Sequence, residues 1–146
     1  MNHVAVIGAG ITGLTVATDL AAAGHEVSLF DKSRGPGGRC ATRRSTVGAF
    51  DHGAPGFSAT TAAFRAQVAA WRTAAWHAAA HRWRYAQVRA PRKEPFGWNV
   101  ALRLGSCGDA WHARGDPGST APDGIERAWL SGRALAQQMH RTLSPG

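Results

Sequence analysis

The chain has 146 residues and a formal charge of +8 at neutral pH. Its 44% hydrophobic content and six tryptophans exclude a disordered chain, and no apolar run in the sequence reaches the length of a membrane span. Fifteen of the 17 basic residues are arginines, spread along the chain without a lysine-rich block. We therefore expect no nucleic-acid partner and no membrane partner. The first residues lack the pattern of a signal peptide, which predicts a cytoplasmic location.

The first third of the chain predicts one β-α-β unit with a right-handed crossover. The predicted elements are a strand at 3–8, a turn at 8–13, a helix at 11–23 that stops at Gly24, a strand at 26–31, a glycine-rich loop at 33–39, and one further short strand within 41–52 that ends at Phe50-Asp51-His52.

The rest of the chain predicts two helices and two strands. The predicted elements are a helix that begins at Thr60 or Thr61 and runs to about residue 80, a strand at 82–88, a loop at 90–97, a strand at 98–107, a loop at 110–123 and a helix at 125–143. The apolar face of the first helix would carry Phe64, Val68, Trp71 and Ala75. Inward positions of the last helix would be Ala128, Leu130, Ala134, Leu135 and Met139.

The turn at 8–13 has the spacing Gly-x-Gly-x-x-Gly between a strand and a helix. Gly8 permits the tight turn, Gly10 lets backbone approach a pyrophosphate, and Gly13 lets the helix pack against the strand. The helix N-terminus would then face the anion. Asp31 stands at the end of the second strand, where an acid accepts hydrogen bonds from a ribose. Together these residues predict a dinucleotide-binding site.

Further segments follow in order along most of the chain. They read Asp-Lys-Ser-Arg-Gly-Pro-Gly-Gly-Arg, Ala-Thr-Arg-Arg, Phe-Asp-His-Gly-Ala, His-Arg-Trp-Arg-Tyr-Ala, Leu-Gly-Ser-Cys-Gly-Asp and Ile-Glu-Arg-Ala-Trp-Leu-Ser-Gly. This series resembles the renalase-type FAD-dependent oxidoreductases of the flavin amine oxidase superfamily. The resemblance implies an α/β, Rossmann-like FAD-binding fold (GR2-type) with a central parallel sheet. It divides a single domain, 1–146, into an N-terminal FAD half at 1–58, a joining helix at about 60–80 and a C-terminal FAD half at 81–146.

The resemblance also implies which residues hold FAD. Arg39 would lie against the phosphates, and Asp109 would bond the ribityl chain or the pyrophosphate. Thr42-Arg43 and His52-Gly53 would approach the isoalloxazine. Backbone N–H groups at 125–127 would face flavin N1 and the C2 carbonyl. The full implied set is Gly8, Ala9, Gly10, Ile11, Thr12, Gly13, Asp31, Lys32, Arg34, Gly38, Arg39, Thr42, Arg43, His52, Gly53, Gly108, Asp109, Ile125, Glu126, Arg127 and Ala128.

The chain departs from that family in one large respect. Relatives carry a substrate domain between the regions near Trp71 and His81, where this chain has a short alanine-rich stretch. Pro55 also stands where such relatives often have Gln. The substrate domain is thus expected to be absent or minimal, which leaves the flavin ring uncovered. A homodimer through the 61–83 segment, with Trp71, Trp76 and Trp83, would cover the exposed apolar surface.

Three functions remain open at this point. The first is a minimal FAD oxidoreductase that takes hydride from NAD(P)H or a similar small donor onto flavin N5, and passes electrons to oxygen or another acceptor. The second is a non-catalytic FAD-binding module or subunit whose substrate site a partner completes. The third is a deletion relic without function. No side-chain constellation in the sequence predicts a catalytic residue, because in this chemistry the cofactor reacts and the protein orients it.

Histidine and cysteine add two minor alternatives. His77 and His81 are spaced to share a helix face, but no third ligand stands near them, so we predict no metal site. Cys40 and Cys107 could exchange electrons with a flavin, although two buried thiols that behave as small hydrophobic residues are the simpler interpretation.

Overall fold

The computed structural model describes residues 2–51, 57–73, 90–111 and 123–144. In chain order its elements are β1 (His3–Ile7), α1 (Ile11–Ala22), β2 (Glu26–Phe30), a 3₁₀ turn (Gly38–Cys40), β3 (Thr42–Ser45), β4 (Gly48–Asp51), α2 (Ala62–Thr73), β5 (Gly97–Asn99), β6 (Leu104–Ser106) and α3 (Gly124–Leu143).

The predicted β-α-β unit is confirmed. Strands β1 and β2 are parallel, with pairing that runs from His3 opposite Glu26 to Ile7 opposite Phe30. Gly24 follows α1 with φ of 85°, a left-handed conformation that suits glycine at a helix end. The unit forms a Rossmann-like α/β layer in which the carboxyl ends of β1 and β2 lie side by side.

The hydrophobic core joins the two ends of the chain. Side chains from β1 and α1 pack against α3, and the cluster comprises Val4, Val6, Val16, Leu20, Leu135, Ala136 and Met139. A methyl group added at Gly132 would lie 2.7 Å from the Thr12 carbonyl oxygen, so α3 crosses α1 at closest approach there. Of the predicted inward positions on α3, Ala128, Leu135 and Met139 are buried, whereas Leu130 and Ala134 are half-buried.

Two predicted strand regions are hairpins: the short strand predicted to end near Asp51 is present as β4 but has a second strand before it, and the single strand predicted at 98–107 was wrong. The 41–52 stretch folds as β3 and β4, paired antiparallel around Thr46-Val47. The 98–107 stretch folds as β5 and β6, where the Asn99 side chain accepts a hydrogen bond from the Leu102 N–H at 2.9 Å and turns the chain. The predicted loop at 33–39 also ends in the 3₁₀ turn.

Helix α2 begins as predicted. The Thr61 hydroxyl accepts a hydrogen bond from the Phe64 N–H at 3.2 Å, which caps the helix. Phe64 is fully buried, and its ring packs at a tilt 5.2 Å from that of Trp129. Val68 and Trp71 lie half-buried on the same side of the helix.

Several predictions lie outside the described residues. They concern the helix beyond residue 73 with Ala75, His77 and His81, the strand at 82–88, most of the loop at 110–123, and the residues His52, Gly53, Pro55, Trp76 and Trp83. The division of the domain into two halves stays a prediction. Among the helices of the described ranges, we find none with the length and apolar character of a membrane span.

Candidate functional site

Two positions of the β1–α1 turn, 8 and 13, require glycine. Gly8 has φ of 104°, which side-chain-bearing residues rarely adopt. A methyl group on Gly13 would lie 1.8 Å from the Gly8 carbonyl oxygen, so only glycine lets α1 begin against β1. Both observations agree with the sequence-based roles of these two glycines.

The N-terminus of α1 is open towards solvent. Gly10 is the residue before the helix, and no side chain of the described residues caps it. A methyl group on Gly10 would meet no atom within 4 Å in the part of the chain that the structure describes. The N–H groups of the first helical turn, from Ile11 to Gly13, have no intrahelical acceptor and carry the positive end of the helix dipole. The geometry is that of an anion-binding helix terminus.

Asp31 lies beside this turn. Its carboxylate accepts hydrogen bonds from the Ala9 N–H at 2.6 Å and from the Ser33 N–H at 2.7 Å. These bonds, with that of Ala9 the strongest cause, lower the pKa of Asp31 to about 2. The side chain is exposed, and an ionised, oriented carboxylate at the end of β2 can accept further hydrogen bonds from ribose hydroxyls.

The second glycine-rich loop packs directly on the first. The Gly37 N–H donates to the Ala9 carbonyl at 2.7 Å. A methyl group on Gly38, which has φ of 54°, would lie 3.0 Å from the Gly10 Cα. Lys32 and Arg34 lie exposed in the same loop. Contact between glycines therefore brings the basic 32–39 segment alongside the helix terminus.

Arg39 and Asp109 form a two-point ion pair. Arg39 Nη1 donates to Asp109 Oδ2 at 2.8 Å, and Nη2 donates to Oδ1 at 2.5 Å. The Arg39 side chain is 48% exposed and that of Asp109 only 12%. This bond raises the pKa of the Arg39 guanidinium, which stays charged. Two residues that were assigned separately to the cofactor thus contact each other.

The N-terminus of α3 differs from that of α1, because a carboxylate already caps it. Asp123 Oδ1 accepts hydrogen bonds from the N–H groups of Ile125 at 3.0 Å and Glu126 at 3.1 Å. Asp123 Oδ2 accepts a further bond from the Ser58 N–H at 2.6 Å. The N–H groups that the resemblance assigns to flavin N1 and the C2 carbonyl are therefore engaged by Asp123.

The resemblance implies a role for the backbone N–H of Glu126, and its side chain has a separate, structural one. It is fully buried and accepts four hydrogen bonds, at 2.6–2.8 Å, from the N–H and hydroxyl groups of Thr60 and Thr61. Burial acts to raise the pKa of Glu126, but the bonds from Thr61 and Thr60 outweigh it and hold the pKa below its usual value. Glu126 thus anchors the start of α2 to α3.

Two implied residues of the C-terminal half, Asp109 and Arg127, both lie near Gly124. A methyl group there would lie 3.8 Å from Arg127 Nη2 and 3.9 Å from Asp109 Oδ2, and Arg127 is only 3% exposed. Gly108 has φ of 148°, and its N–H donates to the Ser131 hydroxyl at 3.0 Å. Burial raises the pKa of the neighbouring Cys107 thiol to about 11, so that thiol stays protonated and unreactive at neutral pH.

The structure brings together the implied residues Gly8 to Gly13, Asp31, Gly38, Arg39 and Asp109. His52 and Gly53, and the side chains of Thr42 and Arg43, lie outside what it describes. Sequence reasoning missed Ser33, Gly37, Ser131 and Asp123. An aspartate directly before the first turn of a predicted helix is a capping signal, and it could have identified Asp123.

Comparison with known proteins supports the dinucleotide interpretation. Residues 6–72 match the family model described as an NAD(P)-binding Rossmann-like domain. Over 50 residues the chain is 46% identical to 4,4'-diapophytoene desaturase (4,4'-diaponeurosporene-forming) from Staphylococcus haemolyticus, covering 34% of this chain and 10% of the relative. The same enzyme from Staphylococcus aureus strain Newman gives the same values. The L-amino-acid oxidase of Daboia russelii is 46% identical over 44 residues, or 30% of this chain and 9% of the relative.

Residues 6–72 have the Rossmann-like α/β fold of the matching family model. The family model begins within β1 and ends within α2, so it includes both glycine-rich loops and Asp31. The chain spans about a tenth of the length of the curated relatives that it matches.

Proposed function

We propose that this chain binds FAD and works as an oxidoreductase. The observation that carries the proposal is the open N-terminus of α1, with Asp31 on one side and the basic 32–39 segment on the other. A dinucleotide needs this combination, because its diphosphate is anionic and its ribose offers hydroxyl donors.

The described residues fit the adenosine diphosphate part of FAD. No atom of the described residues lies within 4 Å of a methyl group placed on Gly10, so among these residues nothing blocks phosphate oxygens from the N–H groups of the first helical turn. Asp31 holds its carboxylate ionised for the ribose. Arg39 follows directly after Gly38, which lies against Gly10, and we propose that its partly exposed guanidinium also contacts the phosphates.

The choice of FAD over NAD(P) rests on the C-terminal half. The Gly108-Asp109 pair and the start of α3 resemble the flavin end of the renalase-type site. Among the described residues, Asp109 is hydrogen-bonded to Arg39 of the second glycine-rich loop. This contact supports one continuous site for a long dinucleotide. A flavin at α3 would have to share or displace the Asp123 carboxylate, since that group holds the Ile125 and Glu126 N–H groups.

The names of the relatives describe oxidations, namely a desaturase and an amino-acid oxidase. Bound FAD would supply a ring that accepts hydride. This chain's residues would bind the diphosphate, orient the ribose and fix the position of the ring. We propose a reduced nicotinamide or a similar small molecule as donor, and oxygen or another acceptor downstream.

Extraction of the purified protein followed by mass spectrometry tests the cofactor. We expect FAD, and not FMN, NAD or NADP. A colourless protein that FAD cannot reconstitute would refute the proposal. Recovery of NAD or NADP in its place would keep the dinucleotide site and refute the flavin.

Anaerobic stopped-flow reduction tests turnover once FAD is bound. We expect slow reduction by NADH and NADPH at similar rates, because the short stretch between Trp71 and His81 leaves little sequence to build a selective pocket. A hundredfold preference for one donor, about 2.7 kcal/mol, would show that a pocket exists. FAD binding without reduction by either nicotinamide would favour the module that needs a partner.

A further inference from the structure

The tip of the β5–β6 hairpin exposes three large aliphatic side chains within five residues. Val100 is 61% exposed, Leu102 71% and Leu104 62%. Single exposed aliphatic residues are normal on a soluble protein, but a contiguous group of this kind marks an interaction surface. We call these three residues the aliphatic tip.

The base of the hairpin is fixed to the core, so the direction of the aliphatic tip is fixed too. Trp98 packs against the hydrophobic cluster. A methyl group on Gly105 would lie 2.8 Å from Leu135 Cδ2, which shows that β6 lies directly against α3. The turn is ordered by the bonds from the Leu102 N–H to Asn99 Oδ1 and from the Arg103 N–H to the Val100 carbonyl at 3.2 Å.

The segment that carries the aliphatic tip, 100–104, contains one basic residue and no acidic one. Arg103 is exposed between Leu102 and Leu104, and its φ of 48° places it in the left-handed region. Exposed Arg92 and Lys93 precede the hairpin, with Glu94 as the nearby acid, and the whole chain carries a charge of +8. An aliphatic group beside a long cationic side chain matches the interface of an anionic bilayer, where the guanidinium meets the phosphates while the aliphatic groups enter the acyl boundary.

We propose that the aliphatic tip docks this chain on an anionic membrane surface. Surface docking needs no transmembrane helix, so it is compatible with the lack of a span among the described helices. It does depart from the expectation of no membrane partner, which rested on the search for a span. The proposal goes beyond cofactor binding and does not depend on it.

A second copy of the chain is a less suitable partner for the aliphatic tip than an anionic membrane surface. In a symmetric contact through the tip, Arg103 of one copy would approach Arg103 of the other, and both copies carry +8. Phosphatidylglycerol headgroups, in contrast, offer opposite charge to the same arginine. Charge complementarity therefore selects the lipid surface as the occupant.

Vesicle sedimentation tests the proposal with the purified chain. The probes are phosphatidylcholine vesicles that contain about one third phosphatidylglycerol, and pure phosphatidylcholine vesicles. We expect binding to the anionic vesicles only, with affinity reduced about tenfold or more in a Leu102→Asn, Leu104→Asn double variant. Arg103→Gln should weaken binding by a smaller factor, since it removes charge alone.

Val47→Asn is the matched control. Val47 is 84% exposed at the turn between β3 and β4, but no second large aliphatic residue stands beside it in that turn. We expect this variant to bind the anionic vesicles as well as the wild type. No binding by the wild type, or equal binding by the double variant, would overturn the proposal. So would a dimer in light scattering that the double variant abolishes, because the occupant would then be a second copy.

Discussion

Arg39 and Asp109, 70 positions apart in the chain, hold each other through two parallel hydrogen bonds at the carboxyl edge of the β-α-β unit. The pair ties the second glycine-rich loop to the segment that leads into α3. Fork-to-carboxylate pairing of this kind fixes geometry as well as charge. This ion pair therefore links the two ends of the proposed FAD site.

Asp109→Ala should lower both stability and FAD affinity. It leaves the half-buried Arg39 without its carboxylate partner, and we expect a loss of roughly 1–3 kcal/mol in the free energy of unfolding. Arg39→Lys keeps the charge but loses the fork, so it should cost less. Urea unfolding, followed by tryptophan fluorescence, measures the stability of both variants. Unchanged stability in both variants would show that the ion pair is not maintained in solution.

Asp31 should make part of the stability depend on pH. Its folded pKa of about 2 lies below the ordinary 3.8, so the ionised form favours the folded state. The contribution is complete above about pH 4 and is lost as the pH falls from about 4 towards 2. The difference in unfolding free energy between wild type and Asp31→Asn should be constant above this window and shrink within it. A difference that does not vary with pH would contradict the Ala9 and Ser33 bonds.

Glu126→Ala should detach the start of α2 from α3. Its main effect should be on stability and not on the affinity for FAD. Four donors from Thr60 and Thr61 would lose a buried acceptor, with an expected cost of about 2–4 kcal/mol. Gln137→Ala, at an exposed position on the same helix, is the control and should change stability little. Hydrogen exchange of the 62–73 amides should accelerate in the glutamate variant alone. If FAD affinity falls while this protection is unchanged, the side chain contacts the cofactor after all.

Gly132→Ala should destabilise the packing of α3 on α1. Alanine is the better helix former, but its methyl group would lie 2.7 Å from the Thr12 carbonyl oxygen in backbone that cannot move freely. We expect a net loss of about 1–3 kcal/mol in the free energy of unfolding. A more stable variant in thermal unfolding would mean that the two helices are further apart in solution.

Local patterns in the sequence predicted the β-α-β unit, its glycines and the capped start of α2, because each depends on residues close together in the chain. The two hairpins were missed for a related reason. At 98–107 apolar residues alternate with other residues straight through the turn. Neither turn, at Asn99 or at Thr46-Val47, has the Asn-Gly or Asp-Gly pair that marks a two-residue hairpin.

Local sequence patterns do not predict long-range side-chain contacts. The resemblance assigned Arg39, Asp109 and Glu126 to the cofactor one at a time, but it could not show that Arg39 pairs with Asp109 or that Glu126 reaches Thr60 and Thr61. These contacts exist because α3 packs on α1, and its first turn lies near Asp109 and the start of α2. Sequence reasoning found the residues at this edge but not the bonds between them.

The central claim is that the open terminus of α1 binds the diphosphate, and titration of FAD into Gly10→Val tests it most directly. Gly10 has ordinary extended backbone angles and free space beside it, so valine should leave the fold intact and only obstruct the ligand. The control is Gly35→Val, in the second loop, where added atoms also meet nothing within 4 Å. We predict that Gly10→Val weakens FAD binding tenfold or more, roughly 1.4 kcal/mol, while Gly35→Val binds like the wild type. Equal FAD affinity in all three proteins would contradict the site.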